Sequence, residues 1–198
     1  MVATRRHAIC LLAAGALFCF ALTVNADAAP EKTLFDFSTA TNASAWQIVN
    51  DDVMGGVSTS CFRATSGVAL FRGEVSLEIN GGFASVRSSP VRQNLAGLDA
   101  FLVRVRGDGR RYKFTVRTHS GFDTPPYQCA FMTRRGEWAQ HRLAFKDFVA
   151  TFRRRVLTDV SALDPARVLS VGFLISDKQA GSFKLEAACI KAAPRASE

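Results

Sequence analysis

The sequence is poor in the residues from which common catalytic and metal sites are built. Its 198 residues include five cysteines and three histidines, and no Cys-x-x-Cys pair is present to bind zinc or exchange disulfides. The Gly-x-Ser-x-Gly elbow, the phosphate-binding loop, the His-Glu-x-x-His helix and the dinucleotide fingerprint are also missing. These absences argue against the hydrolase, nucleotide-binding and zinc-protease classes that those motifs mark.

Long helical periodicity and internal repeats are absent as well, and period-two alternation replaces them from Lys32 onward. The clearest alternation covers 101–106 and 112–117, where an apolar face opposes a basic one. Asp108-Gly109 lies between these segments and predicts a two-residue hairpin turn. Many short strands separated by glycine turns predict two packed antiparallel sheets. We therefore expect an all-β, single-domain β-sandwich of the jelly-roll type.

Other segments follow the same pattern. Ser66-Gly67 predicts a hairpin turn between two short strands. The apolar segment 168–175 is expected to be buried on both faces, and 145–149 is expected to form a single helical turn. The remaining predicted strands are 34–37, 58–63, 68–71, 75–79, 83–87, 127–132, 138–143 and 183–189.

The first 26 residues have the pattern of a secretory signal peptide. Arg5 and Arg6 precede the uncharged apolar run 8–24, and small residues before Ala26 suit a cleavage site. Cleavage there would leave 172 residues, enough for one domain, which we place at 33–192. We expect a periplasmic or secreted protein, with a membrane anchor formed by an uncleaved leader as the alternative. An organelle transit peptide is the weakest interpretation, because the run lacks spaced arginines and serines.

The chain has an excess of basic residues, with a formal net charge of +8 that falls to +6 without the leader. This excess suggests an acidic partner or an anionic lipid surface, and hence peripheral membrane association, but it does not indicate nucleic acid. Three widely spaced cysteines remain after the leader: Cys61, Cys129 and Cys189. We expect Cys129 and Cys189 to be buried thiols without a bridge, with one disulfide as the alternative.

Three glycine-containing loops carry the candidate functional residues, and we expect them to meet at one place. They are 50–58, 81–87 and 106–110. The carboxylates of Asp51 and Asp52 are expected to cap turns. One alternative is a calcium site that they form with backbone carbonyls. A second is a hydrolase pair that Asp52 forms with Asp108 or Glu74.

Four motifs in this order resemble the complex I intermediate-associated protein 30 family. They are Asn50-Asp51-Asp52-Val53-Met54-Gly55-Gly56-Val57-Ser58, Gly81-Gly82-Phe83-Ala84-Ser85-Val86-Arg87, Arg106-Gly107-Asp108-Gly109-Arg110-Arg111-Tyr112 and the run from Gly172 to Phe183. The similarity extends from about Leu34 to Ile190. The resemblance implies a galactose-binding-domain-like jelly roll. It also implies a chaperone-like role in assembling the membrane arm of NADH:ubiquinone oxidoreductase.

The resemblance implies no catalytic residues, no metal and no cofactor, so we expect a non-enzymatic binding module. Its partner would be a protein, such as a membrane complex or its assembly intermediates. The alternative is a carbohydrate-binding module of jelly-roll type, in which Trp46 or Trp138 stacks on a sugar ring. The residues assigned by motif position or stacking chemistry to the ligand- or partner-binding surface are Trp46, Asp52, Met54, Gly55, Gly56, Gly82, Arg87, Arg106 and Asp108.

Overall fold

The fold is built almost entirely from strands. The computed structural model describes residues 30–38, 45–65, 67–79, 81–121, 124–152 and 155–196. In chain order the strands are β1 (Lys32–Asp36), β2 (Trp46–Ile48), β3 (Thr59–Thr65), β4 (Val68–Val75), β5 (Ala84–Ser88), β6 (Ala100–Arg106), β7 (Arg111–Arg117), β8 (Tyr127–Met132), β9 (Trp138–Ala144), β10 (Val149–Phe152), β11 (Arg155–Val156), β12 (Ser170–Ile175) and β13 (Gly181–Ala193).

The strands form two antiparallel sheets, which confirms the predicted all-β architecture. The six-stranded sheet has the order β3-β4-β13-β6-β9, with β1 also paired to β13. The seven-stranded sheet has the order β11-β10-β8-β7-β12-β5-β2. Each sheet turns one apolar face toward the other, and the alternation that identified the strands supplies those faces.

The final strand, β13, is the centre of the six-stranded sheet. One of its edges pairs with β6, and the other pairs first with β4 and then with β1. A register shift between Ala187 and Cys189 marks a bulge. Since β1 and β13 come from opposite ends of the domain, their pairing closes the fold.

The predicted hairpin between β6 and β7 is wrong. Gly109 does lie in a turn, at a φ of +92°, but β6 pairs with β13 and β9, whereas β7 pairs with β8 and β12. The connection therefore passes from one sheet to the other. The β8–β9 connection crosses back in the same way. Alternation reveals which face of a strand is buried, but it does not identify the strand's neighbour.

Other local predictions have mixed outcomes. The β3–β4 hairpin, the single helical turn at Phe145–Asp147 and the buried strand β12 are confirmed. By contrast, β4 ends at Val75, so the predicted strand over 75–79 does not form. The predicted leader and anchor lie outside the described residues. None of the helices within the described ranges is long and apolar enough to cross a membrane.

The core between the sheets is dominated by aromatic rings. Trp46 is only 8% exposed, and its indole packs against Phe62 and Phe173 at centroid distances of 4.9 and 6.3 Å. Trp138 lies instead on the outer face of the six-stranded sheet, with the Arg106 guanidinium carbon 5.0 Å from its ring centroid. The two tryptophans thus have different roles, one as core packing and one as a surface residue.

The three cysteines of the domain, including Cys129 and Cys189, are free thiols in the structure. The thiols of Cys129 and Cys189 are half-buried rather than fully buried as predicted. Burial raises the pKa of Cys129 and Asp147 adds to the shift, so this thiol stays protonated and unreactive near neutral pH.

We predict that Trp46→Ala lowers the free energy of unfolding by about 3 to 5 kcal/mol, because it leaves a large cavity in the aromatic core. Urea denaturation monitored by far-UV circular dichroism measures this change. Trp138→Ala is the matched control, and its smaller cost is expected because only part of that ring is buried. Equal losses for both variants would contradict the distinction between core and surface.

Candidate functional site

The carboxylate of Asp51 holds the first two glycine loops together. Its side chain is fully buried. Oδ1 accepts a hydrogen bond from the Ser58 backbone N–H at 2.9 Å, and Oδ2 accepts from the Ser58 hydroxyl at 2.5 Å. The same Oδ2 accepts from the backbone N–H groups of Gly82 at 2.7 Å and Phe83 at 3.2 Å. One side chain therefore ties together segments that are about thirty residues apart.

Ser58 connects Asp51 to the residue that follows β4. Its hydroxyl oxygen accepts a hydrogen bond from the Ser76 backbone N–H at 3.0 Å. Nearby, the Ser60 hydroxyl donates to the Asn50 side chain at 2.7 Å, and the Ser85 hydroxyl donates to the Val49 carbonyl. The segment 50–58 and the described residues of the next loop, 76–79 and 81–83, are thereby fixed to β3, β4 and β5, and together we call them the Asp51 loops.

Glycine is required next to Asp51 because there is no space for a side chain. A Cβ on Gly56 would lie 2.4 Å from Asp51 Cγ, and a Cβ on Gly81 would lie 2.8 Å from Asp51 Oδ2. Gly55 and Gly82 adopt φ values of +84° and +123°, which favour glycine. The glycine pairs of both motifs thus allow close approach to the carboxylate.

The hydrogen bonds to Asp51 also determine its ionisation. Burial acts to raise the pKa of this carboxyl, but the donors from Ser58, Gly82 and Phe83 together hold the pKa below its ordinary value. Asp51 is therefore ionised at neutral pH although it is buried, and its charge is stabilised by neutral N–H and O–H groups.

The Asp51 loops display apolar side chains to solvent. Among the described residues, eleven large apolar side chains are exposed, and five of them lie in these two loops. We call these five the apolar rim: Val53, Met54, Val57, Leu77 and Ile79. Such a concentration around a rigid, buried anchor is typical of a protein-binding surface rather than of scattered exposed residues.

Ile79 adds a second sign of a functional loop. It is 66% exposed and has a backbone φ of +48°, which is a strained conformation for a β-branched residue. Strain of this kind costs about 1 to 3 kcal/mol and is concentrated at binding and catalytic sites. The hydrogen bonds of the neighbouring Gly82 and Phe83 to Asp51 help to maintain it.

Asp51 joins the first two glycine loops directly, whereas the third lies further along the same end of the six-stranded sheet, across β4 and β13. Asp52, Met54 and Gly55 are exposed beside the Asp51 anchor, and Gly56 and Gly82 are buried against it. Asp108 lies in this third loop, directly after β6. Its carboxylate accepts from the Tyr112 hydroxyl at 3.1 Å and from the Lys184 backbone N–H at 3.0 Å. Asp108 is thus a structural carboxylate of the third loop.

Arg87 and Arg106, predicted to share one surface, are on opposite faces of the sandwich. Arg106 is on the outer face of the six-stranded sheet, where its Nε donates to Glu186 at 2.5 Å. Arg87 is on β5 in the seven-stranded sheet, between the buried Val86 and Ser88. Burial lowers the pKa of Arg117, and the like charge of Arg87 lowers it further, so these two arginines are neighbours.

The alternatives based on carboxylates lose their support. Both oxygens of Asp51 already accept hydrogen bonds, and no group of three or more His, Cys, Asp or Glu side chains suited to a metal ion occurs in the described part of the chain. Glu74, proposed as a partner of Asp52 in a hydrolase, accepts from the Ser182 hydroxyl at 2.6 Å. Trp46 is in the core, so it does not offer a ring for sugar stacking.

Sequence reasoning identified Asp51 as a turn cap but missed most of the apolar rim. Val53 and Val57 were passed over as loop residues, and Leu77 and Ile79 were assigned to a strand. The signal that would have revealed the second loop is Gly81-Gly82, because a diglycine directly after an alternating segment favours an early end to the strand.

Comparison with known proteins identifies relatives over most of the domain. A family model described as complex I intermediate-associated protein 30 matches residues 35–187. The mitochondrial protein of that name from Drosophila melanogaster is 27% identical, over 77% of this chain and 60% of its own length. The mitochondrial protein of that name from Neurospora crassa is 28% identical, over 59% of this chain and 48% of its own length. The chain thus spans about half to three fifths of these relatives.

Solved structures show the same fold. A family 11 carbohydrate-binding module from a cellulosomal cellulase of Clostridium thermocellum superposes with a TM-score of 0.64 at 15% identity, covering 87% of this chain and 99% of the module. An agarase superposes with a TM-score of 0.59 at 12% identity, over 85% of this chain and 25% of the enzyme. At these identities the likeness establishes the jelly-roll fold alone.

The relatives correct one prediction. Three matching proteins, from Drosophila melanogaster, Neurospora crassa and Caenorhabditis briggsae, are named as mitochondrial. The predicted periplasmic or secreted location is therefore wrong.

We predict that Asp51→Asn lowers the free energy of unfolding by about 2 to 4 kcal/mol, because the amide presents its NH₂ group to N–H donors. Asp52→Asn is the matched control, since this neighbour is exposed, and we expect it to change stability by less than about 0.5 kcal/mol. Urea midpoints of both variants provide the measurement. An Asp51→Asn variant that is as stable as wild type would show that the carboxylate does not hold the loops together.

We also predict a specific acid sensitivity. Because the pKa of Asp51 is lower in the folded state, its contribution is present above about pH 4 and is lost as the pH falls below that value. The difference in urea midpoint between wild type and Asp51→Asn, measured at pH 7, 4 and 2.5, should therefore become smaller at the lowest pH. A difference that stays constant or grows on acidification would contradict the lowered pKa of Asp51.

Proposed function

Because this chain belongs to the complex I intermediate-associated protein 30 family, we propose that it is a chaperone-like binding module for a protein partner in respiratory complex I assembly. The module acts without catalysis and binds its partner through the apolar rim around Asp51. The observation that carries the proposal is the exposure of five large apolar side chains on two loops pinned by one buried carboxylate.

The Asp51 loops are preorganised for binding. Ordering a flexible loop on binding costs free energy, and this cost is avoided if the loop is already held in its bound conformation. The hydrogen bonds to Asp51 and the glycines packed against it fix the Asp51 loops before any partner arrives. Val53, Met54 and Ile79 can then contribute buried apolar area with little entropic cost.

Met54 is a suitable central contact for such a surface. Its side chain is 49% exposed, and a thioether on an unbranched chain adapts to different apolar partners. A chaperone-like protein has to bind surfaces that become buried later in the assembled complex, and those surfaces are apolar. The rim matches that chemistry.

The carbohydrate alternative has weaker support. The fold is shared with carbohydrate-binding modules, but fold likeness at 15% identity does not transfer a ligand. Trp138 is the remaining stacking candidate. The guanidinium carbons of Arg106 and Arg104 lie 5.0 and 5.9 Å from its ring centroid, and they compete with a sugar for the ring face.

The test is site-specific photo-crosslinking. A benzophenone amino acid at position 54 should crosslink to complex I subunits when the protein is mixed with solubilised membranes that contain assembly intermediates. Position 132 is the matched control, because Met132 is 59% exposed but lies on β8 in the seven-stranded sheet. Crosslinked subunits are identified by mass spectrometry.

The double variant Val53→Ser/Met54→Ser should lower recovery of complex I subunits by about tenfold, because it removes apolar contact area without touching Asp51. Crosslinks to complex I subunits from neither position, or equally from both, would refute the proposed surface.

A further inference from the structure

A second concave region lies at one end of the six-stranded sheet, and the proposed function does not use it. This cleft has a volume of about 620 Å³. Its walls are the β6–β7 connection, the β8–β9 connection and the beginning of β13. Both connections cross between the sheets, so the cleft opens where the two sheets are joined.

The walls of this cleft are held rigidly. The Thr133 hydroxyl accepts a hydrogen bond from the Gly109 backbone N–H at 3.1 Å and donates to the Arg110 carbonyl at 2.9 Å. The Gly136 N–H donates to the Gly107 carbonyl at 2.9 Å. A Cβ on Gly107 would lie 2.4 Å from the Thr133 hydroxyl oxygen, so glycine is needed for the loops to approach. The cleft is therefore preformed.

The cleft is lined by four basic side chains: Arg106, Arg110, Arg135 and Lys184. Arg110 is committed to the fold, because its Nη1 donates to the carbonyls of Gln179 and Ala180 at 2.9 and 3.0 Å. Arg106 uses only its Nε in its ion pair. The structure shows no partner for the exposed Arg135 side chain within the described residues. Lys184 has one ion pair, at 3.3 Å, and its side chain is 56% exposed. Arg106, Arg135 and Lys184 therefore keep donors for a ligand.

The acidic side chains beside the cleft are satisfied internally. Glu186 pairs with Arg106 at 2.5 Å and with Lys184 at 3.3 Å, and the hydrogen bond from Arg106 is the main cause that lowers its pKa. Asp108 accepts from the Lys184 backbone, and Glu74 accepts from Ser182. These carboxylates position the basic groups, and the lining keeps a net positive charge.

A second, shallower depression continues the cleft across the sheet. It has a volume of about 420 Å³, is lined in part by Thr59 and Arg72, and shares Ser182 and Phe183 with the first. Thr59 directly follows Ser58, which is bonded to Asp51. The two depressions thus form one groove, which begins beside the Asp51 loops and ends at Arg135.

We propose that this groove binds an extended acidic segment of the protein partner, whose carboxylates pair with Arg106, Arg135 and Lys184. The inference rests on the proposed function for the class of partner and adds the chemistry of the segment. Two adjoining depressions favour an extended chain over a single ion, and basic groups spaced along them match successive carboxylates of such a chain.

The first test uses hexaglutamate as the probe and NMR of the full chain as the readout. Titration should shift the amide signals of Gly107, Gly136 and Ser182 in a saturable way, whereas signals of the seven-stranded sheet stay in place. Raising the salt concentration from 50 to 200 mM should weaken the interaction, because the contacts are ionic. Hexaglutamine of the same length should produce no saturable shift.

Variants test the named side chains. Arg135→Gln/Lys184→Gln should lower hexaglutamate affinity by about tenfold or more, because it removes charge-assisted hydrogen bonds. Lys146→Gln/Arg155→Gln is the matched control, because it removes two exposed charges outside the groove, and it should leave the affinity unchanged. Both variants should keep the wild-type circular dichroism spectrum, since these side chains extend from the surface.

Three outcomes would overturn the inference. One is the absence of saturable binding to hexaglutamate, and another is equal loss of affinity in both variants. The third is a preference for a simpler anion, in which inorganic phosphate or phosphatidylglycerol vesicles produce the same shifts more strongly than the peptide. Since this experiment involves no complex I subunit, its failure leaves the apolar rim intact. Conversely, if position 54 does not crosslink to complex I subunits, the measured binding of hexaglutamate to the groove is unaffected.

Discussion

The hydrogen-bonded, buried carboxylate of Asp51 is the interaction on which the structure of the two Asp51 loops depends. Bringing a charge out of water is costly, and four hydrogen bonds from neutral donors offset that cost. The same bonds join the loop after β2 to the loop before β5. Without them, two glycine-rich segments would be free to move, and the strained backbone of Ile79 would relax. The glycines of both motifs leave room for this carboxylate, because a side chain at Gly56 or Gly81 would clash with it.

The sandwich separates two kinds of surface. The Asp51 loops present apolar side chains, whereas the outer face of the six-stranded sheet presents arginine, lysine and a half-buried tryptophan. The depression between them passes over Thr59, Arg72 and Ser182. A partner with an apolar region followed by an acidic segment would match both parts. Such a partner would be bound by contacts that differ in salt dependence, because only the acidic segment is held by charge.

The comparisons place this arrangement in context. The family model covers nearly all of the sandwich, and the solved structures that superpose on it include carbohydrate-binding modules. The shared feature is the scaffold, whose two sheets hold loops rigidly at their ends. Function on such a scaffold depends on the side chains that the loops display. In this chain the displayed groups are Met54 and its apolar neighbours, while Trp46, one of the two tryptophans considered for sugar stacking, packs in the core.

The amino-acid sequence was sufficient for the class of fold, for most strand positions and for the four motifs that mark the family. Period-two alternation and glycine turns are local properties, so they can be read without coordinates. Sheet membership was not readable in this way, as the separation of β6 from β7 shows, because strand pairing joins residues that are distant in the chain. The positions of Arg87 and Arg106 on opposite faces follow from that pairing. Only the tertiary structure revealed that Asp51 bonds to Gly82 and that Leu77 and Ile79 are exposed to solvent. These features were not predictable from local sequence, because a buried charge is stabilised by donors from whichever distant segments the fold brings close to it.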